Sequence, residues 1–228
     1  MEIAIQAKQL VKSFPMGNGG KIYALDGIDL NIPKGRLVIL KGRSGSGKTT
    51  LLNMLSALDE PTEGEVSFFG DSLSTMKAQE KENLRRYRMG FVFQSIALIP
   101  VMSAYENVAF ALRLAEYQGN HDKRIRECLG RVGLLARMNH RAGQLSGGEQ
   151  QRVAIARAVA HCPEVIFADE PTGALDTASG MAVMKLFGEL VREEGVTVIM
   201  TTHDPNLMEF GDVVYELADG RIVTEGAE

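Results

Sequence analysis

The stretch GRSGSGKT, residues 42–49, is the segment that decides the fold. It fits the phosphate-binding pattern G-x-x-x-x-G-K-S/T. The apolar run RLVIL at 36–40 precedes it, and the helical pattern TTLLNMLSAL at 49–58 follows it. In a strand, turn and helix of this kind, the backbone N–H groups of the turn and the positive end of the helix attract phosphate oxygens. We therefore expect a phosphate-binding loop on an α/β sheet.

This loop predicts specific contacts with a nucleotide. In such loops the lysine, here Lys48, reaches the β and γ phosphates, and the following hydroxyl, here Thr49, ligates Mg²⁺. The predicted nucleotide-binding residues of the loop are Gly42, Arg43, Ser44, Gly45, Ser46, Gly47, Lys48, Thr49 and Thr50. A glycine-rich turn that carries a lysine by chance is the alternative, and the flanking strand and helix argue against it.

A second motif, VIFADE at 165–170, ends an apolar run with two adjacent carboxylates. Burying charge is costly, so a purely structural strand avoids such a pair. Asp169 is predicted to hold Mg²⁺ and Glu170 to polarise the attacking water as general base. A strand end that simply reaches solvent is the alternative.

The apolar runs predict a mostly parallel sheet. RLVIL, VIFAD at 165–169 and VTVIMTT at 196–202 are nearly continuous apolar stretches, as expected of strands covered on both faces, and helical patterns separate them. YALDGIDLNI at 23–32 alternates like a half-buried strand, and VVYELADGRIV predicts a type I′ hairpin at Asp219-Gly220. The stretch from about 95 to 160 has helical periodicity, so we expect a helical subdomain inserted into one domain spanning residues 1–228.

Composition excludes several classes of protein. A net charge of −4 argues against a nucleic-acid binder, and the basic run LRRYRMG at 84–90 is interpreted as a solvated helix face. The absence of a long apolar run and of a signal-peptide pattern predicts a cytoplasmic protein. Cys128 and Cys162 have neither metal-ligand spacing nor a secreted context, so we expect reduced structural thiols.

The stretch LSGGEQQR at 145–152 combines a helix start with two poor helix formers. Ser146 and Glu149 have the spacing of a capping box, yet Gly147 and Gly148 fill the first helical positions. Each glycine costs about 1 kcal/mol relative to alanine. We therefore expect that something must approach this backbone closely.

Taken in order, GRSGSGKT, Gln94 after FVF, LSGGEQQR, VIFADEPTGALD and THD at 202–204 resemble the nucleotide-binding subunit of an ABC transporter. The resemblance covers essentially the whole chain. It implies a P-loop NTPase of the α/β class, whose mostly parallel sheet core, with the Walker A and Walker B motifs, carries an antiparallel β subdomain and an inserted α-helical subdomain. It also implies ATP hydrolysis coupled to transport, with ATP and Mg²⁺ as cofactors.

The resemblance assigns roles to residues outside the loop. Gln94 is the Q-loop glutamine, which touches Mg²⁺ and reports to the membrane partner, so that the implied metal contacts are Thr49, Gln94 and Asp169. His203 contacts the γ-phosphate. Together with Lys48 and Glu170, Gln94 and His203 form the implied catalytic set. Each has a structural alternative, since Gln94 also suits a strand cap and His203 a hydrogen-bonded structural site.

Further contacts are implied for adenine and for a second chain. Phe14 stands at the usual place of the adenine-stacking aromatic, with Tyr23 as the alternative, and Asp176 corresponds to the D-loop aspartate at the dimer interface. In such cassettes the signature, here Ser146, Gly147 and Gly148, caps the nucleotide held by a second copy. The implied partners are a second copy of the chain and an integral-membrane permease, which holds the cassette on the inner face of the cell membrane. No nucleic-acid partner is implied.

Finer resemblance points to one branch. LRRYRMGFVFQ, ENVAFAL and EPTGALD look most like the lipoprotein-releasing, macrolide- and peptide-exporting and cell-division cassettes. Three alternatives remain open. A DNA-repair or chromosome ATPase would carry long coiled coils, and a translation factor of this superfamily would carry two cassettes. A nucleotide-gated clamp that regulates a membrane protein without transport would have the same fold and site.

Overall fold

The computed structural model describes residues 2–17 and 19–227 and contains two sheets. The larger has six strands in the order β10-β9-β3-β8-β7-β6. Their bounds are β3 Leu37–Lys41, β6 Met89–Val92, β7 Val165–Ala168, β8 Thr197–Thr202, β9 Val213–Ala218 and β10 Arg221–Ala227. All neighbours pair in parallel except β9 and β10, so the predicted antiparallel C-terminal edge is confirmed.

The smaller sheet is antiparallel and has the order β2-β1-β4-β5. Its strands are β1 Ile3–Pro15, β2 Lys21–Pro33, β4 Glu63–Phe68 and β5 Asp71–Ser72. The run at 23–32 lies within β2, and its burial alternates over much of its length, as the sequence pattern predicted. This sheet packs against the parallel sheet through a shared core that includes Ile5, Leu25 and Leu40.

Six helices complete the described part of the chain: α1 Lys48–Leu55, α2 Ala78–Arg88, α3 Ala104–Leu114, α4 His121–Arg131, α5 Gly147–Val159 and α6 Thr177–Glu194. Helices α3, α4 and α5 lie between β6 and β7 in the sequence, within the stretch where helical periodicity was found. Short 3-10 turns connect the elements at 73–75, 135–137, 142–144 and 205–210.

Strands β7 and β8 are buried along their whole length and divide the protein into two cores. Ile166, Ala168 and Met200 face the core formed with α3 to α6. Phe167 and Ile199 face the opposite core, which contains α1 and the antiparallel sheet. Because side chains alternate along a strand, Asp169, one residue beyond the end of β7, and Thr201 of β8 also point toward α1.

The expectation of a solvated helix face at 84–90 is wrong. Helix α2 ends at Arg88 and β6 begins at Met89, and the three arginines of the run reach across to other elements. Their acceptors are Ala57 O for Arg85, Leu114 O and Glu116 for Arg86, and the Glu164 carboxylate for Arg88. A guanidinium offers five donors on a long stem, so a basic run can join elements instead of facing water.

The hairpin between β9 and β10 has the predicted turn. Asp219 and Gly220 have φ angles of 48° and 76°, the positive pair that a type I′ turn requires. None of the described helices is long and apolar enough to cross a membrane.

The two cysteines are free thiols in contrasting surroundings, because Cys128 is buried and Cys162 is exposed. Burial raises the pKa of the Cys128 thiol to about 11. Because the thiolate is the reactive form, we expect iodoacetamide at pH 7.5 to label Cys162 and to spare Cys128 in the folded protein. Mass spectrometry of tryptic peptides checks this, with the urea-unfolded chain as the control in which both react. Equal labelling of both thiols in the folded protein would contradict the packing of α4.

Candidate active site

The loop between β3 and α1 is shaped by a glycine at the start of the helix. Gly47 is the residue before α1 and has a φ of 104°, in the left-handed region. A Cβ at this position would lie 2.5 Å from the carbonyl oxygen of Ala24. Glycine is therefore required here, both for the backbone angle and for the close approach of β2. The turn leaves the N–H groups at the start of α1 facing the cleft described below.

Lys48 is a buried cation held by carbonyl oxygens. Its side chain is 5% exposed, and Nζ donates to Gly42 O at 2.9 Å and to Arg43 O at 3.0 Å. Its ion pair with Glu170 Oε1 is long, at 4.0 Å. Carbonyl dipoles orient the ammonium group without neutralising it, so the positive charge remains available to an anion in the loop.

Asp169 lies one residue beyond β7 and meets two hydroxyl groups. Thr49 Oγ1 donates toward Oδ1 and Oδ2 at 3.1 and 3.0 Å, and Thr201 Oγ1 donates to Oδ1 at 2.7 Å. Thr49 comes from α1 and Thr201 from β8, so the carboxylate is fixed between the phosphate-binding helix and the neighbouring strand. The Asp169 N–H still donates to Val92 O of β6, at 2.9 Å.

Glu170 is the residue at which the chain turns away from the sheet. Its φ is 44°, and a left-handed angle in a residue other than glycine costs of order 1–3 kcal/mol. Its carboxylate accepts from Gln94 Nε2 at 3.2 Å and lies 3.3 Å from His203 Nδ1. Glu170 is therefore the meeting point of the predicted catalytic set, because its carboxylate lies close to Lys48, Gln94 and His203.

These groups line an open cleft of about 590 Å³. Its lining residues are Ala24, Arg43, Ser44, Gly45, Gly47, Lys48, Thr49, Thr50, Gln94, Glu170 and His203. A second cavity of about 260 Å³ shares Glu170 and His203 and is also lined by Asp176 and Thr177. Phe14, Tyr23, Ser146, Gly147 and Gly148 line neither cavity.

The donor sets of the cleft fit a phosphate group and Mg²⁺. Lys48 lines the cleft and keeps a positive charge there for a phosphate, whereas the buried Ser46 Oγ, which has no hydrogen-bond partner within residues 2–17 and 19–227, does not line it. Thr49 and Asp169 offer hard oxygen ligands side by side. Among the described residues, no group of three or more histidine, cysteine or acidic side chains is placed to hold a metal ion.

The signature segment begins α5 as a capping box. Ser146 Oγ accepts from Glu149 N–H at 3.3 Å, and Glu149 Oε2 accepts from Ser146 N–H at 2.8 Å. The hydrogen bond from the Ser146 N–H holds the pKa of the Glu149 carboxyl below its usual value. A Cβ on Gly147 would meet no atom within 4 Å, whereas one on Gly148 would lie 3.4 Å from Ser179 Oγ. Packing within the described chain therefore does not explain why residue 147 is glycine.

Asp176 caps α6 within its own chain. Its carboxylate accepts from Ser179 N–H at 3.0 Å and from Ser179 Oγ at 2.7 Å. These bonds hold the pKa of the Asp176 carboxyl below its usual value. The N-termini of α5 and α6 are neighbours, because Ser179 lies next to both Asp176 and Gly148.

The chain is similar to known proteins over most of its length. A family model described as ABC transporter matches residues 25–173. The chain belongs to the ABC transporter family. The cassette is 45% identical over 227 residues to the uncharacterized ABC transporter ATP-binding protein MJ0796 of Methanocaldococcus jannaschii, covering 97% of this chain and 96% of the relative. It is 46% identical to the macrolide export ATP-binding/permease protein MacB of Wolinella succinogenes, covering 96% of this chain but 34% of that relative.

A solved structure supports the same conclusion. The dimeric structure of the cassette MJ0796 in a post-hydrolysis state, bound to ADP and Pi, matches this cassette with a TM-score of 0.90 at 43% identity and covers 98% of both chains. The predicted family, P-loop NTPase fold and ATPase activity of this cassette are therefore confirmed. The macrolide exporters also fall within the branch that the sequence predicted.

Two residues of the cassette's site escaped the sequence analysis. Ala24 lines the cleft, and Thr201 contacts both Asp169 and Glu170. Thr201 lies inside an apolar run, where a β-branched residue is unremarkable. Its position could have identified it as a site residue. The parallel strands β7 and β8 place Asp169 and Thr201 together at their carboxyl ends, on the same face of the sheet.

Stacking of adenine on Phe14, with Tyr23 as the alternative, stays a prediction for this cassette. Phe14 is 44% exposed and Tyr23 is 54% exposed, and they lie on adjacent strands β1 and β2. Tyr23 directly precedes Ala24, which lines the cleft. Lys12 Nζ lies 5.4 Å from the centre of the Phe14 ring.

Proposed function

We propose that this cassette binds MgATP and works as half of a two-chain motor for a membrane permease. The observation that carries the proposal is the separation of the signature from the cleft. Glu170, His203 and the phosphate-binding loop share one cleft, while the signature glycines lie outside it and residue 147 faces open space. We infer that the signature of a second copy closes this cleft. A side chain at position 147 would obstruct that contact, which explains the glycine.

Residues within one chain would bind the nucleotide and prepare water for attack. Lys48 and the N–H groups of residues 44–49 hold the phosphates, and Thr49, Asp169 and Gln94 hold Mg²⁺. When bound, Mg²⁺ neutralises charge on the phosphate oxygens. Glu170 accepts a proton from the attacking water, and its hydrogen bond from Gln94 orients the carboxylate. His203 Nδ1, 3.3 Å from Glu170, orients the same carboxylate beside the γ-phosphate site.

The second copy would contribute the N-terminus of α5. Helix N-termini carry unpaired N–H groups and a partial positive charge, and Gly147 allows an anion to approach them without meeting a side chain. Two-fold symmetry makes two such sites, each built from the cleft of one chain and Ser146, Gly147 and Gly148 of the other. The dimeric state recorded for MJ0796, a close relative, supports this arrangement.

An apolar groove next to Gln94 is the proposed permease contact. Phe93 and Phe110, which are 38% and 41% exposed, line a groove of about 270 Å³ with Leu114, which is 52% exposed. Arg85, Arg86 and Arg157 also line it, and of these Arg86 is already paired with Glu116. The groove therefore suits a permease segment with apolar and acidic side chains, which would also hold the cassette at the inner face of the membrane. Its position beside Gln94 links the permease to the active site.

Co-purification tests the groove and with it the motor function. Phe110→Glu places a charge among the apolar side chains and is expected to abolish co-purification with the membrane permease. Val223→Glu is the matched control, because Val223 is 57% exposed on β10 and does not line the groove. Retention of the membrane subunit by Phe110→Glu would exclude the groove as the permease contact. A separate assay of ATP-driven transport in vesicles would distinguish a transporter from a regulatory clamp.

A further inference from the structure

The hydroxyl of Thr201 joins the two acidic residues that follow β7. It donates to Asp169 Oδ1 at 2.7 Å and accepts the Glu170 N–H at 2.8 Å. Thr201 is fully buried, so no water competes for these bonds. A hydroxyl has one proton to donate, and here that proton is directed at the Asp169 carboxylate.

The strand geometry explains how one side chain meets both residues. Ala168 pairs with Met200, so Asp169 and Thr201 are the next residues along parallel strands. The Asp169 N–H still donates to Val92 of β6, whereas the Glu170 N–H, one residue further beyond the end of β7, donates to a side chain. Thr201 Oγ1 receives this N–H, so it satisfies the first donor that the sheet no longer pairs.

The Asp169 carboxylate also receives the hydroxyl of Thr49, but the two hydroxyls differ in kind. Thr49 belongs to the phosphate-binding helix and is itself proposed as a metal ligand. Thr201 is fixed on the central sheet, where β8 pairs with β3 and β7 on its two sides. Thr201 is therefore the donor that orients Asp169 without also binding the metal.

We propose that Thr201 is a positioning residue for ATP hydrolysis, whose hydroxyl sets the Asp169 carboxylate for Mg²⁺ and the Glu170 backbone for proton transfer. The inference rests on the proposed roles of Asp169 and Glu170. Strand formation does not require the hydroxyl, because valine has the same branched shape and an equal preference for strands. Its place in β8 is explained by the two bonds to the acidic pair.

A matched residue on the same strand provides the control. Thr197 is also fully buried, and its hydroxyl accepts the Gly35 N–H at 2.9 Å at the opposite end of β8. Thr197→Val and Thr201→Val therefore each remove one buried hydroxyl that accepts a backbone N–H. Only Thr201→Val removes a bond to the acidic pair.

The first measurement uses nucleotide-free protein and does not depend on catalysis. Thr201→Val is expected to speed hydrogen exchange of the Glu170 amide about tenfold, as the loss of one hydrogen bond implies. Thr201→Ser is expected to retain the protection, because the hydroxyl is kept. Thr197→Val is expected to expose Gly35 instead and to leave Glu170 protected.

The second measurement separates positioning from stability. For Thr201→Val we expect the Mg²⁺ requirement of ATP binding to rise, and kcat to fall, each by about 10–100-fold, as for other groups that orient metal ligands. At saturating Mg²⁺, the KM for ATP should stay within about threefold, since the phosphate loop is untouched. Thr201→Ser should recover kcat, and Thr197→Val should keep the parent kcat and Mg²⁺ requirement. If Thr201→Val does not fold, Thr201→Ala is compared with Thr201→Ser, which differs from it by the hydroxyl alone.

Two results would overturn the inference. One is a Thr201→Val or Thr201→Ala chain that keeps the parent kcat and Mg²⁺ requirement, even if its Glu170 amide exchanges faster. The other is an equal loss of kcat in Thr197→Val, which would make the effect one of general stability. If the proposed catalytic role of Glu170 is wrong, the Glu170→Gln chain will still hydrolyse ATP. That result is distinct from a failure of the inference about Thr201.

Discussion

The Glu170→Gln chain is expected to bind ATP without consuming it and to accumulate as a dimer. Glutamine keeps the size of the side chain and its contact with Gln94 but cannot accept the proton of the attacking water. Turnover should fall at least about 100-fold, equivalent to about 2.7 kcal/mol of transition-state stabilisation. By light scattering, the 24.9 kDa chain should move to about twice that mass with ATP and not with ADP, because ATP favours the form to which it binds more tightly.

A second substitution tests which surface closes the dimer. Gly147→Asp, added to Glu170→Gln, places bulk and negative charge where the phosphate is proposed to dock and should restore the monomer in the presence of ATP. Gly130→Asp is the matched control, since a Cβ on Gly130 of α4 also meets no atom within 4 Å. That control chain should still dimerise. A Glu170→Gln chain that stays monomeric at saturating ATP, across a wide range of salt and protein concentration, would contradict the shared site.

Replacement of Lys48 is expected to have the next largest effect. Lys48→Ala removes the buried cation of the phosphate loop, so ATP binding and turnover should both be lost, the latter by about 10²–10³-fold or more. His203→Ala should keep ATP binding while turnover falls strongly, because the imidazole is proposed to orient the Glu170 carboxylate beside the γ-phosphate site.

Thermal unfolding with and without ATP separates these two variants. Ligand at 100 times its Kd stabilises the folded state by about 2.7 kcal/mol, and this gain should vanish in Lys48→Ala but persist in His203→Ala. Lys34→Ala is the control, because Lys34 pairs with Glu2 on an exposed surface. Unchanged hydrolysis by Lys48→Ala would refute the phosphate-loop assignment, and full activity of His203→Ala would leave that residue a structural role.

Sequence patterns predicted the parts of this protein that local rules control. The glycine-rich turn, the buried strands of the parallel sheet, the type I′ hairpin and the capping box at Ser146 each follow from spacing and residue type within a few positions. The family resemblance then proposed distant partners such as Gln94 and His203. Local residue patterns and the order of the motifs along the chain were therefore sufficient for these predictions.

Contacts between distant elements were harder to predict. The arginines at 85–88 bind carbonyl and carboxylate groups of other elements, which no local pattern reports. Thr201 was hidden because threonine and valine satisfy a buried strand equally well. Asp176 was expected at an interface, and its carboxylate already caps α6 through Ser179. Each case depends on which segments the fold brings together.

Helix α5 joins two of the surfaces discussed above. Its first residue is Gly147, and Arg157 and Ala158 near its other end line the groove. At 1.5 Å per residue its 13 residues form a stiff rod of about 20 Å. Displacement of one end would therefore carry the other, which would link the proposed phosphate contact at Gly147 thermodynamically to the proposed permease contact. By reciprocity, any factor by which ATP changes the affinity of the groove for the permease is the factor by which the permease changes the affinity of the cassette for ATP.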